Sequence, residues 1–120
     1  MESKAEWAFK EWDQIVQSVQ KWLKSQDEKT EDLESKAKSR VKYTLPGPMT
    51  ILDCTVDQFY GEDRKQELTD DLIKVINAEI LSLVKHGCKV IQLDEPVLMR
   101  YPKQAIAYGI KDVQRCFEGV

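Results

Sequence analysis

The sequence predicts an α/β fold with parallel strands. Two short β-rich runs, residues 41–45 (VKYTL) and residues 89–93 (KVIQL), are each soon followed by a proline. A long amphipathic segment, residues 63–86, separates them. A strand, a helix of this length and a second strand form the unit from which parallel sheets are built. We therefore expect a βαβ unit with an amphipathic helix before the first strand.

The composition excludes several classes of partner. The 120 residues are 42% hydrophobic and 32% charged, with a formal net charge of −3. Acidic and basic side chains are interspersed, so we expect neither a nucleic-acid-binding surface nor a polybasic membrane patch. No run approaches the ~20 apolar residues of a membrane span. The first residues lack the apolar stretch of a signal peptide and the three cysteines form no motif, which together favour a reducing cytoplasm.

The N-terminal part predicts a helix followed by a charged connector. Residues 4–24 carry apolar side chains at helical spacing, which predicts an amphipathic helix of about five turns. These side chains are Ala8, Trp12, Ile15, Val16, Val19, Trp22 and Leu23. Residues 25–40 alternate in charge and predict a solvated connector with a short helix at residues 31–38. We expect the chain to divide into this part, residues 1–40, and a second part, residues 41–120.

The first strand ends at Pro46-Gly47-Pro48. Proline stops a strand, and Gly47 is free to adopt backbone conformations that are closed to other residues. Residues 49–52 then predict either a short helix whose N-terminal amides face a ligand or a simple turn packed under a loop.

Residues 63–86 carry one apolar stripe and predict the longest helix. Asp63 is placed to be its N-cap, and Gly87 is placed to be a left-handed C-cap. A last helix is predicted over residues 103–118. We expect its inward side chains to be Ala105, Ile106, Ile110, Val113 and Phe117.

Two adjacent acids, Asp94 and Glu95, directly follow the second run. Ligands bind at the carboxyl ends of parallel strands in α/β sheets and barrels. Two carboxylates there can bind an amine, hold a metal or transfer a proton; otherwise they form a solvated strand end or cap a helix. Asp94 and Glu95 are therefore the candidate substrate-binding residues.

The chain itself predicts no zinc site. Its only histidine, His86, precedes the second strand at the opposite end from the acids. Cys54, Cys88 and Cys116 fall in separate predicted elements, whereas zinc needs convergent ligands.

The motifs KYTLPGPMTIL and KVIQLDEPVLMR, separated by a helix ending in HGC, resemble the catalytic C-terminal domain of the cobalamin-independent methionine synthase family. The resemblance covers about residues 41–120. It implies a (β/α)8 TIM barrel in which the two runs are the fourth and fifth strands. It also implies zinc-dependent methyl transfer from a methyl-folate to a thiol, commonly homocysteine, in methionine biosynthesis. Under this resemblance Asp94 receives the amino group of the amino-acid substrate.

Two positions depart from the family pattern. Cys54 stands where the family has a tryptophan that stacks on the folate, and Arg100 stands where it has a glutamate that contacts the folate. A thiol cannot replace a stacking ring and arginine inverts the charge, which argues against methyl-folate as the donor. The C-terminal part, with DEPVLMR followed by YG and then RCFEGV, resembles a branch of the family that includes thiol alkyltransferases acting on coenzyme M.

The chain also departs from the family in length. A full barrel needs ~250 residues, and the family's zinc ligands belong to later strands. We therefore expect a partial barrel of about two βα units that is inactive alone, and that either is a fragment or packs with a completing chain or with itself. A non-catalytic interaction module derived from the barrel is the alternative.

Overall fold

The computed structural model describes residues 6–26 and 31–120. Helices dominate these residues, and two strands lie among them. The elements in chain order are α1 (Trp7–Ser25), α2 (Leu33–Arg40), β1 (Lys42–Pro46), α3 (Pro48–Asp53), a 3₁₀ turn (Glu62–Arg64), α4 (Lys65–Lys85), β2 (Val90–Asp94), α5 (Val97–Arg100), α6 (Pro102–Gln104), a π-helical turn (Ala105–Gly109) and α7 (Ile110–Cys116).

Strands β1 and β2 pair in parallel, with Lys42 opposite Val90 and Pro46 opposite Asp94. Helix α4 connects them, so the predicted βαβ unit is confirmed. Side chains along both strands alternate between exposed and partly buried. An apolar run such as residues 90–93 is typical of a strand buried on both faces of a parallel sheet, but the helices of the described residues cover only one face of β2.

The covered face of the sheet contributes to both apolar cores, and its side chains are Tyr43, Leu45, Ile91 and Leu93. The other face, here called the open face, consists of Lys42, Thr44, Pro46, Val90, Gln92 and Asp94, all of them exposed. It is therefore mostly polar.

The first core joins α1 to the start of β1 and the end of α4. Its buried members are Ala8, Trp12, Val16, Leu23, Ala37, Val41, Leu83 and Cys88. The predicted stripe of α1 was too wide, because Ile15 and Trp22 are exposed. The core contains side chains from both sides of residue 40, and the predicted division of the chain there stays a prediction.

The second core lies between α4 and α7. Its buried members are Leu72, Ile73, Ile76, Ile80 and Cys116. The register of the last helix differs in part from our prediction: Ala105 is buried and Phe117 packs against this core, as predicted. Ile106 is 80% exposed and Ile110 is 52% exposed, whereas the buried positions are Ala105, Gly109, Asp112 and Cys116.

A π-helical turn and a close approach of neighbouring elements explain this register. The wider turn at Ala105–Gly109 breaks the regular helical spacing on which the prediction relied. At Gly109 the chain approaches α5 and α3 so closely that an added β-carbon would lie 2.8 Å from Cδ2 of Leu98 and 3.1 Å from Sδ of Met49. At residue 109, glycine is therefore the residue that fits without a shift of Leu98 or Met49.

The C-terminal end of α4 was predicted correctly, and its N-terminal end was not. Gly87 has φ 97°, which confirms the left-handed residue after the helix. Asp63 is not the N-cap, because it lies in the 3₁₀ turn and α4 begins at Lys65. Within the described residues, no helix combines the length and the apolarity that a membrane crossing requires.

The first core predicts a large difference between two leucines of α4. Leu83 is fully buried, and Leu81 is 38% exposed on the same helix. Leu83→Ala should lower the free energy of unfolding by about 2 to 5 kcal/mol, since it leaves a cavity. Leu81→Ala is the matched control and should cost clearly less. Urea unfolding measures both, and equal losses would show that Leu83 does not lie in a packed core.

The three cysteines should differ sharply in reactivity. Cys54 is exposed, whereas Cys88 and Cys116 are buried. Burial raises the pKa of the Cys88 thiol. Burial, with nearby negative charge, raises that of Cys116 to about 12. Since the thiolate is the nucleophile, Cys116 holds roughly one thiolate in ten thousand at pH 8.

We therefore expect one fast-reacting thiol in the native chain at pH 8 with an aromatic disulfide reagent, and three after denaturation. The Cys54→Ser variant is the control and should leave no fast-reacting thiol. A fast reaction that persists in this variant would contradict the buried positions of Cys88 and Cys116.

Candidate functional site

The carboxyl ends of both strands meet at one edge of the sheet. Pro46 lies opposite Asp94, and the N–H of Gly47 donates to the carbonyl oxygen of Asp94 at 2.7 Å. The proline–glycine loop, residues 46–48, and the acid pair, 46 to 49 positions apart in the sequence, are therefore neighbours in the structure, as the parallel arrangement predicted.

Glu95 caps helix α3. Its carboxylate accepts hydrogen bonds from the N–H of Met49 at 2.9 Å and from the N–H of Thr50 at 2.7 Å. Amides in the first turn of a helix have no partner within the helix, and Pro48 has no N–H at all. Of the two alternatives for residues 49–52, the short helix is confirmed, but its first two amides bind Glu95 and do not face a ligand.

Gly47 is required for space and not for an unusual backbone conformation. Its φ of −80° and ψ of 167° are ordinary extended values, so our prediction of a conformation closed to other residues is wrong. A β-carbon at this position would overlap Cγ and Cδ of Glu95. The glycine therefore leaves the volume through which the Glu95 side chain reaches α3.

Asp94 is exposed on the open face of the sheet. The side-chain amide of Gln92 donates to Oδ1 of Asp94 at 2.6 Å, and Lys42 donates to Oε1 of Gln92 at 2.7 Å. Among residues 6–26 and 31–120, Asp94 forms no ion pair. A carboxylate that is oriented by a neutral amide and lacks an ion-pair partner can accept a charged donor such as an ammonium group.

A buried acid that the sequence analysis missed lies near Glu95. Asp112 of α7 is only 7% exposed, and burial raises its pKa although Arg115 is adjacent. Arg115 lies 2.8 Å from Asp70 and 3.4 Å from Asp112. The negative charges of Glu95 and Asp112 both contribute to the raised pKa of Cys116. Ala105, Gly109 and Asp112 recur at helical spacing, and this pattern was the sequence signal that places Asp112 on the inward face.

The two positions that depart from the family pattern lie close together, since Cys54 follows the end of α3 and Arg100 ends α5. Arg100 pairs with Asp53 at 3.3 Å, and this ion pair joins α5 to α3. Cys54, which follows Asp53 in the sequence, is exposed. A cleft of about 520 Å³ lies between these helices and the start of α4. Tyr101, Tyr108 and Asp112 are among its lining residues.

The described residues do not fit a zinc ion on their own. Within them, no group of three or more His, Cys, Asp or Glu side chains converges. His86 stacks on Phe9, and its Nδ1 lies 2.7 Å from the carbonyl oxygen of Ser82.

Comparison with known proteins shows the family. The family described as "Cobalamin-independent synthase, Catalytic domain" matches residues 15–108. A methionine synthase of Saccharolobus solfataricus is 39% identical over 80 residues, which cover 67% of this chain and 23% of that protein. A methionine synthase of Pyrococcus furiosus is 31% identical over 87 residues, which cover 72% of this chain and 25% of that protein.

The chain thus spans about a quarter of the length of the curated relatives it matches. No solved structure matches it. The relatives confirm the resemblance inferred from the two motifs. Because the family match covers more than half of its residues, the chain belongs to the family of the cobalamin-independent synthase catalytic domain.

Proposed function

We propose that the chain is a segment of the substrate-binding barrel of a cobalamin-independent, zinc-dependent methyltransferase of methionine biosynthesis, and that Asp94 binds the ammonium group of an amino-acid thiol such as homocysteine. The observation that carries the proposal is the position of Asp94. It lies exposed at the carboxyl end of a parallel strand, without an ion-pair partner among the described residues. This end of the strands holds the active sites of α/β barrels.

The one-sided sheet supports the barrel in this proposal. Helices cover one face of β1 and β2, while the open face carries polar side chains that include Thr44 and Gln92. In a (β/α)8 barrel the outer face of each strand meets helices, and the inner face meets the side chains of the other strands in the barrel interior. β1 and β2 are then the fourth and fifth of eight strands. Residues 41–120 belong to the barrel and residues 1–40 precede it, and the zinc ligands lie in the strands that complete it.

The immediate neighbours of Asp94 suit an ammonium ligand. Gln92 holds one carboxylate oxygen, and the amide of Gln92 is itself fixed by Lys42. Lys42 is bonded to Gln92, so its ammonium group contacts the amide oxygen and not the carboxylate. The Asp94 carboxylate is therefore available to a substrate cation, and a charge-assisted hydrogen bond there contributes roughly 1.5 to 3 kcal/mol.

Methyl-folate is not proposed as the methyl donor. Cys54 offers no ring for stacking, and Arg100 carries the opposite charge from the glutamate of the family pattern. Arg100 is moreover engaged with Asp53. The proposal therefore specifies the amino group of the acceptor thiol and leaves the methyl donor open.

This function is tested in a chimeric protein in which residues 41–120 are joined to the remaining barrel of a matched methionine synthase. The substitution Asp94→Asn is introduced into this chimera. The substitution removes the charge but keeps the shape of the side chain. We expect L-homocysteine to bind about ten- to a hundredfold more weakly by calorimetry. Coenzyme M, which has no amino group, should bind with unchanged affinity, and the zinc content should stay the same.

Asp53→Asn in the same protein is the matched control, because Asp53 lies at the end of α3 and is already paired with Arg100. It should leave the homocysteine affinity within about twofold, as expected for a surface pair of little energetic weight. If Asp94→Asn leaves the affinity for every thiol unchanged while the fold stays intact, the carboxylate is structural and the proposed substrate site is wrong.

A further inference from the structure

We infer that Glu95 is a positioning residue for Asp94, and that Gly47 is the partner that makes this role possible. The carboxylate of Glu95 ties the end of β2 to the start of α3 and so fixes the backbone from which the Asp94 side chain extends. The inference rests on the proposed function for the importance of Asp94, and it assigns its neighbour a task that involves no contact with substrate.

The hydrogen bonds between the two loops are consecutive. The N–H of Gly47 donates to the carbonyl oxygen of Asp94, and the N–H groups of Met49 and Thr50 donate to the carboxylate of Glu95. Pro48, between them, has no N–H to offer. Every available backbone donor of residues 47–50 is therefore bound to Asp94 or to Glu95.

These bonds restrict Asp94 from both sides of its α-carbon. The carbonyl group of Asp94 is held by Gly47, and the residue that follows it is anchored through its own side chain. Pairing of Asp94 with Pro46 in the sheet fixes the strand that precedes it. Only the side-chain torsions of Asp94 remain, and Gln92 holds one of its oxygens.

Helix α3 has no local residue that could do the work of Glu95. It has six residues, and its N-cap position is occupied by Gly47, which has no side chain to accept a hydrogen bond. A helix this short is marginal without help from the rest of the fold. The cap comes instead from Glu95, 45 positions after Thr50.

Gly47 and Glu95 form an interdependent pair. A side chain at residue 47 would occupy the volume of Cγ and Cδ of Glu95 and would displace its carboxylate from both amides. The backbone at Gly47 is compatible with alanine, so this overlap should account for the whole penalty of a substitution. The penalty should vanish once the Glu95 side chain is removed.

A double-mutant cycle by urea unfolding of the 120-residue chain tests this interdependence. Gly47→Ala should lower the folded-to-unfolded ratio about ten- to a hundredfold in the presence of Glu95. In the Glu95→Ala background, the same change should raise that ratio about two- to fivefold, because alanine restricts the unfolded chain. An equal loss in both backgrounds would overturn the pairing of Gly47 with Glu95.

Amide hydrogen exchange reports on the cap and remains informative if a variant is poorly stable. In Glu95→Ala, Met49 and Thr50 should exchange about ten- to a hundredfold faster than in the unmodified chain. Glu95→Gln keeps one acceptor oxygen, so one of the two amides should retain its protection. The amide of Cys88, bonded to Leu83 at the other end of the sheet, is the internal control. Exchange of Met49 and Thr50 at the original rate in Glu95→Ala would overturn the cap.

The side-chain rotamer of Asp94 distinguishes positioning from a purely structural cap. Scalar couplings to its β-protons should report one χ1 rotamer in the unmodified chain and averaging over several in Glu95→Ala, with Glu95→Gln restoring much of the preference. If Asp94 keeps one rotamer in Glu95→Ala while Met49 and Thr50 exchange quickly, Glu95 caps α3 but does not position Asp94. None of these measurements uses a thiol ligand. They therefore test the role of Glu95 separately from the binding of homocysteine by Asp94.

Discussion

The carboxylate of Glu95, bound to the first two amides of α3, is the contact on which the carboxyl end of the sheet depends. Without it, α3 would begin with uncapped amides, and the loop of Gly47 would be joined to β2 by one backbone hydrogen bond alone. A buried or partly buried amide that loses its acceptor costs about 1 to 3 kcal/mol, a large fraction of the stability of a small domain. The same contact divides the acid pair, since Glu95 is turned to the protein and Asp94 to the open face.

The open face connects the architecture to the proposed chemistry. A parallel sheet is normally covered on both sides, yet the described helices cover one side of β1 and β2. The side left open is mostly polar and ends at Asp94, at the carboxyl end of the strands, where α/β barrels hold their active sites. The relatives are about four times as long as the matched segment, which is long enough for the remaining strands of the proposed barrel.

Local sequence patterns predicted the parts of the fold that local forces determine. β-rich runs predicted both strands, helical spacing predicted the long helix, and the position of a glycine after that helix predicted the left-handed Gly87. The exposure of Ile106 and Ile110 in the last helix was not predicted, because the local sequence pattern shows neither the π-helical turn nor the close approach of α5 and α3 at Gly109. The cap by Glu95 joins residues 45 and 46 positions apart, so no window around Met49 or Glu95 contains both partners. Gly47 was identified as special, but its function is to leave space and not to adopt an unusual conformation.

The most direct measurement of the central contact is the nuclear Overhauser effect between the α-protons of Gly47 and the γ-protons of Glu95 in the folded chain. The overlap that a β-carbon at Gly47 would create places these protons against each other, so we predict a strong cross-peak between two residues 48 positions apart. Cross-peaks between Leu45 and Leu93, which are paired in the sheet, provide the internal reference. If these reference peaks are present and the peak between Gly47 and Glu95 is missing, Glu95 does not reach α3 and our account of the site is wrong.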